Sequence, residues 1–127
     1  MITETDDPTV AAEVRAAFDN YNSALEAGDA EALNGFFLNA ATTVRFGPTE
    51  NLFGYEDIAA FRSRRWKAGG VGRTLEKVMI AVLGTDVAVT SALFRVGART
   101  LSRQTQTWAR SPQGWRIAAA HVSAIEE

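Results

Sequence analysis

From Arg73 onward the chain reads as four long strands separated only by turn signals, and no other stretch constrains the fold so strongly. The first runs from Arg73 to Leu83 and turns at Gly84-Thr85-Asp86; the second runs from Val87 to Val96 and turns near Gly97-Ala98. The third spans Thr100 to Arg110 and turns at Ser111-Pro112-Gln113-Gly114; the last runs from Trp115 to about Ile125. Segments rich in β-branched and aromatic residues, joined by such short links, pair as antiparallel neighbours. Helical periodicity precedes them, so the fold class is α+β. Residues 1–127 make one domain, with no internal repeat, low-complexity segment or linker.

The last strand sets the geometry. Trp115, Ile117, Ala119, His121 and Ser123 alternate onto one face, and Arg116, Ala118, Ala120 and Val122 onto the other. Both faces are mostly apolar, which predicts burial on both sides: helices on one, a partner subunit on the other. If residues 111–114 form a four-residue loop, Arg110 pairs with Trp115, Trp108 with Ile117, Gln106 with Ala119 and Gln104 with His121. Paired residues point the same way. The helix-facing surface then carries Gln104, Gln106 and His121 among apolar neighbours. An odd-length turn replaces them with Arg103, Thr105 and Thr107.

Asp7-Pro8 starts a first helix, with Asp as N-cap and Pro in the first turn, and Gly28 ends it. Val10, Val14, Phe18, Tyr21 and Leu25 recur at helical spacing, so Tyr21 lies on the buried stripe. Its hydroxyl needs a partner there, either a backbone carbonyl or a ligand. Asp29 caps a second helix through about Leu38, with Ala32, Leu33, Phe36 and Phe37 on one side. Tyr55-Glu56-Asp57 opens a third, running to about residue 67. Its bases Arg62, Arg64, Arg65 and Lys67 form either a basic patch or a solvated helix end. The link Gly69-Gly70-Val71-Gly72 lacks the signature of a phosphate loop.

Between the second and third helices, Thr42 to Gly47 reads as a short strand closed by Gly47-Pro48, and Glu50 to Gly54 as another. Val44 and Phe46 share one face; Arg45 points to the other with Thr43. A guanidinium stays charged and offers five donors in a planar fork. On a solvent face Arg45 is an ordinary surface residue; on a cavity wall it is an anion clamp. The strand pattern alone leaves both open.

Composition removes several chemistries. The chain has no cysteine, so disulfides, thiolate metal sites and a cysteine nucleophile are excluded, and its single histidine disfavours a histidine-based metal site. A net charge of −2 gives no overall attraction to nucleic acid or anionic lipid. Basic residues are eleven arginines to two lysines, which reflects either genomic base composition or a use for bidentate carboxylate recognition. Without an 18-residue apolar run or a secretory signal, the expected compartment is the cytoplasm. Ser123 and His121 are two residues apart on one strand face, roughly 6.5–7 Å, which is too far for a direct nucleophile–base bond.

The segments Glu13-Val14-Arg15 with Tyr21, Thr43-Val44-Arg45-Phe46-Gly47, Glu50-Asn51-Leu52-Phe53-Gly54-Tyr55, Phe61-Arg62, Arg103-Gln104-Thr105-Gln106-Thr107-Trp108 and Ala119-Ala120-His121-Val122-Ser123 resemble the AtzH-like family. That family lies within the SnoaL-like, or nuclear-transport-factor-2-like, superfamily. The resemblance implies a cone-shaped, cystatin-like fold with N-terminal helices on a strongly curved, mainly antiparallel sheet. It implies a homodimer through the sheet's outer face; with the composition above, no cofactor and no metal are expected. AtzH-like proteins occur beside amidases in bacterial ureido pathways, and one activity of the family is decarboxylating amide hydrolysis of 1,3-dicarboxyurea to allophanate. Tyr21 and Arg45 match the family's catalytic tyrosine and arginine, and Gln104, Gln106, His121, Trp108 and Arg62 would line the substrate site.

Three functions are weighed on this basis. The first is a hydrolase in which Arg45 holds a carboxylate and Tyr21 donates a hydrogen bond or a proton. The second is a non-catalytic carboxylate binder or accessory subunit of an amidase. The third is a cone-fold isomerase, which needs an interior carboxylate base. The acids fall mainly at helix starts and turns, with Glu76 the one well inside a strand.

Overall fold

The computed structural model describes residues 1–2, 5–65 and 72–127, without the side chains of residues 63–65. Helix α1 (Pro8–Ala27) begins on its cap: the Asp7 carboxylate accepts from the amides of Thr9 at 2.8 Å and Val10 at 3.3 Å. Gly28 closes it at φ 69°, where a Cβ would be strained. Val10, Val14, Phe18 and Tyr21 are buried along one stripe.

Helix α2 (Ala30–Gly35) is shorter than its apolar spacing suggested. Gly35 is a poor helix former, and the chain leaves the helix there to pair with the last strand. The Ile117 amide donates to the Phe36 carbonyl at 2.7 Å, and the Leu38 amide to the Ile117 carbonyl at 2.9 Å. Phe36 and Phe37 thus pin the corner to the sheet. A short hairpin follows, β1 (Val44–Phe46) and β2 (Asn51–Phe53), and then α3 (Tyr55–Arg65). Trp66, Lys67 and Gly69-Gly70-Val71 lie outside the described residues, as do the side chains of Arg64 and Arg65.

The meander is β3 (Thr74–Leu83), β4 (Val87–Val96), β5 (Thr100–Ser111) and β6 (Gly114–Glu126). The six strands form one curved sheet in the order β2-β1-β6-β5-β4-β3. All neighbours are antiparallel except β1 with β6, which run parallel. The α+β expectation and the cone-shaped fold both stand. The core lies between the helices and the inner sheet face, where Val14, Phe18 and Leu33 join Val82, Trp108 and Ile117. Each such side chain contributes about 1.5–3 kcal/mol by leaving water. Among the described residues, no helix is long and apolar enough to cross a membrane.

One register differs from expectation and moves a candidate residue. Ser111 pairs with Gly114, Arg110 with Trp115 and Trp108 with Ile117, as an even turn requires. A β-bulge then leaves Ala118 unpaired: Thr107 lies opposite Ala119, Gln106 opposite Ala120, and Gln104 opposite Val122. An extra residue reverses the alternation of everything beyond it. Gln104 and Gln106 face inward as expected, but His121 pairs with Thr105 and faces outward. On the outer side of β6, Ala119 and His121 are exposed.

Candidate active site on the inner sheet face

Arg45 faces inward. It pairs with Leu52 on one side and Ala120 on the other, and the row continues through Gln106, Thr90 and Ile80. Its side chain keeps 16% of its exposure. Thr43, on the same face, is buried, and its hydroxyl donates to the Leu38 carbonyl at 2.7 Å. Polar and charged groups therefore interrupt an otherwise apolar inner surface.

Glu50 joins Arg45 there. Arg45 Nη1 donates to Glu50 Oε1 at 2.5 Å, and the Thr49 hydroxyl donates to Oε2 at 2.7 Å. Burial pushes the Glu50 carboxyl up, but the bonds from Thr49 and Arg45, with the Arg45 charge, outweigh it and hold it below the usual carboxylate range. Arg45 Nε is buried and has no partner among the described residues. The Nε–Nη2 edge of a guanidinium is its side-on face for bidentate carboxylate binding. Glu50 is bound at Nη1 and does not occupy that edge.

Across Ala120 from Arg45 lies Gln106, two strands or about 10 Å away in backbone terms. Ala120 contributes only a methyl group between two long polar side chains. Gln106 Nε2 and Gln104 Oε1 are buried and without partners among the described residues. A buried donor or acceptor left unpaired costs about 1–3 kcal/mol, so these groups mark a place built for a ligand or ordered water.

Tyr21 and Arg62 close the site from the helices. Tyr21 is 3% exposed and meets Phe36 and Phe37 edge-on at 5.6 and 6.2 Å. The Arg62 guanidinium lies 5.6 Å from the Phe37 ring centre and donates through Nε to Asn34 at 3.1 Å. Burial pulls Arg62 down from the usual guanidinium value; Tyr21 opposes that shift and the Arg45 charge adds to it. Phe37 thus touches both Tyr21 and Arg62, and Arg62 feels both the Tyr21 hydroxyl and the Arg45 charge.

Arg73 is a further cation that the sequence reading passed over. It stacks 4.0 Å from the Phe94 ring centre and donates to Asn22 Oδ1 at 2.7 Å. Its Nε is buried and has no partner among the described residues. Burial lowers its pKa, opposed by Tyr21 and then Glu26.

Two expected site residues sit elsewhere. His121 packs edge-on against Phe46 at 5.9 Å on the outer face, so the bulge at Ala118 removes it from the set around Arg45. Trp108 is fully buried and spends its indole N–H on Thr90, behind Gln106. Glu50 and Arg73 each read in the sequence only as the first residue of a strand.

A family model described as AtzH-like matches residues 3–127. The chain belongs to the AtzH-like family. Among solved structures, a protein of unknown function from Pectobacterium atrosepticum SCRI1043, of the DUF3225 family, shares 43% identity. That match covers 96% of this chain and 95% of the other at a TM-score of 0.89. A cystatin-like fold protein from Burkholderia xenovorans LB400 shares 42% identity over 98% of both chains, at 0.90. An NTF2-like protein of unknown function from Pseudomonas putida KT2440 is only 16% identical, over 92% of this chain and 87% of its own, at 0.78. Such a pair shares the fold alone. No curated protein matches the chain.

Proposed function

We propose that the protein is a small-molecule enzyme that breaks a C–N bond of a carboxylated urea, 1,3-dicarboxyurea or a close analogue, with loss of one carboxyl group. The observation that carries this reading is the inward guanidinium of Arg45, whose buried Nε lies in the same sheet row as Gln106 Nε2, both without partners among the described residues. Two donors in one inward row suit a carboxylate, and the Gln104 oxygen, without a partner among the described residues, suits a urea N–H.

Arg45 binds the carboxylate that is retained and fixes the urea against the inner face. The bond between nitrogen and the other carboxyl carbon breaks, its electron pair stays on nitrogen, and carbon dioxide leaves. Negative charge spreads onto the urea carbonyl, where the Tyr21 hydroxyl donates a hydrogen bond or passes its proton to nitrogen. An isomerase would need an interior base; the inward carboxylate of Glu50 is held by Arg45 and Thr49 below the usual range, which makes it a poor one. Incubation with 1,3-dicarboxyurea and related ureido acids, followed by carbon dioxide and product, tests the proposal. Turnover supports it; thermal stabilisation by carboxylates with no turnover favours a binding or accessory subunit of an amidase.

We also propose a homodimer through the outer sheet face. Phe53, 61% exposed, stands there beside Phe46, and Met79, 63% exposed, stands in the outer row of His121 three strands away.

A further inference from the structure

Gln106 is gripped from behind by a two-step relay. The Trp108 indole N–H donates to Thr90 Oγ1 at 3.0 Å, and the Thr90 hydroxyl donates to Gln106 Oε1 at 3.3 Å. All three residues are buried, Trp108 and Gln106 at 0% and Thr90 at 1% exposure, so bulk water has no access. An indole nitrogen can only donate. The Thr90 oxygen therefore accepts from Trp108 and has its one proton left to give. That proton requires an acceptor opposite it, which fixes the amide of Gln106 with its oxygen toward Thr90. Nε2 is turned the other way, where it has no partner among the described residues.

We infer that Thr90 is a positioning residue: through this relay it locks Gln106 as a donor and makes the site select an oxygen acceptor over an N–H-bearing group. The selectivity rests on the carboxylate-binding reading of Arg45 and Gln106; the orientation of Gln106 does not. With the hydroxyl gone, the amide can turn over, and its oxygen can accept from a carboxamide as readily as its NH2 donates to a carboxylate. A site that pairs a substrate's polar group discriminates strongly because the wrong partner leaves buried groups unpaired.

The test compares wild type, Thr90→Val and Thr90→Ser, with malonate and malonamate as probes. In the unliganded wild type, NMR should show a Thr90 hydroxyl proton protected from exchange, with a cross-relaxation contact to the Trp108 indole proton, and one well-dispersed pair of Gln106 amide signals. Thr90→Val, which keeps the volume, should broaden or double that pair; Thr90→Ser, which keeps the hydroxyl, should leave it in place. Wild type and Thr90→Ser should prefer malonate, and Thr90→Val should narrow that preference by about tenfold. Gln106 signals unmoved in Thr90→Val, or no protected hydroxyl in the wild type, would overturn the relay. A wild type with the expected Gln106 signals but no preference for malonate would overturn the selectivity and the carboxylate reading together. The wild-type spectrum decides the orientation even if Thr90→Val fails to fold.

Discussion

The Arg45 guanidinium donates to the Glu50 carboxylate across 2.5 Å, and the two groups meet over the backbone of Gly47. A Cβ built on Gly47 would lie 1.8 Å from Glu50 Oε1 and 2.9 Å from Arg45 Nη1. Gly47 is therefore needed for lack of a side chain, and the strand motif around Arg45 is a unit: the glycine makes room for the pair.

Gly47→Ala should separate function from stability. The obstructing atoms are the ends of side chains that can move, so the backbone need not shift. Unfolding stability should change by no more than about 1 kcal/mol, in the range of ordinary surface substitutions and a lost partly exposed pair. Carboxylate affinity should fall at least about tenfold, because Arg45 loses its fixed pose. Urea unfolding and calorimetric titration with malonate read the two effects.

Glu50 should leave a mark on the pH dependence of stability. Its folded pKa lies below the ordinary 4.5, so its contribution is fully present above that value and is lost as pH falls through the lower, folded one. Urea midpoints of the wild type should drop on acidification below pH 4.5, and Glu50→Gln should flatten part of that drop. Equal slopes in the two proteins would show that Glu50 is not held by Arg45 and Thr49.

His121 should be dispensable for ligand binding. It stands on the far face of the sheet from Arg45, against Phe46. His121→Ala should keep malonate affinity within about twofold, as expected of a group that makes no ligand contact. A tenfold loss would place the imidazole in the site after all.

The outer face should bring two copies together. Light scattering at micromolar concentration should give a dimer mass, and Met79→Glu or Phe53→Glu should give a monomer that keeps its helical circular dichroism. A monodisperse wild-type monomer would contradict the proposed interface.

Much of this fold was legible in the sequence because its signals are local. Asp7, Pro8 and Gly28 bracket α1 within a few residues of its ends, and the strands of the meander alternate over ten or more positions. The missed features are those that need the third dimension. Nothing in Ala118, Ala119 and Ala120 says that one of them is left unpaired, and that one bulge turns His121 outward. Glu50 becomes a site residue only when the hairpin folds it back over Gly47. Thr90 meets Trp108 and Gln106 only through the pairing of β4 with β5. Phe36 and Phe37 kept a helical spacing that Gly35 prevents the chain from using.

The central claim is that Arg45 and Tyr21 carry the reaction. The direct measurement is carbon dioxide release from 1,3-dicarboxyurea, above the spontaneous rate, by wild type, Arg45→Ala and Tyr21→Phe, each checked for fold by circular dichroism. Wild type should turn over, and each variant should lose about a hundredfold or more in kcat/KM, the scale of a lost positioning clamp or transition-state donor. Turnover that survives both substitutions, or a wild type no faster than the spontaneous reaction, would contradict it.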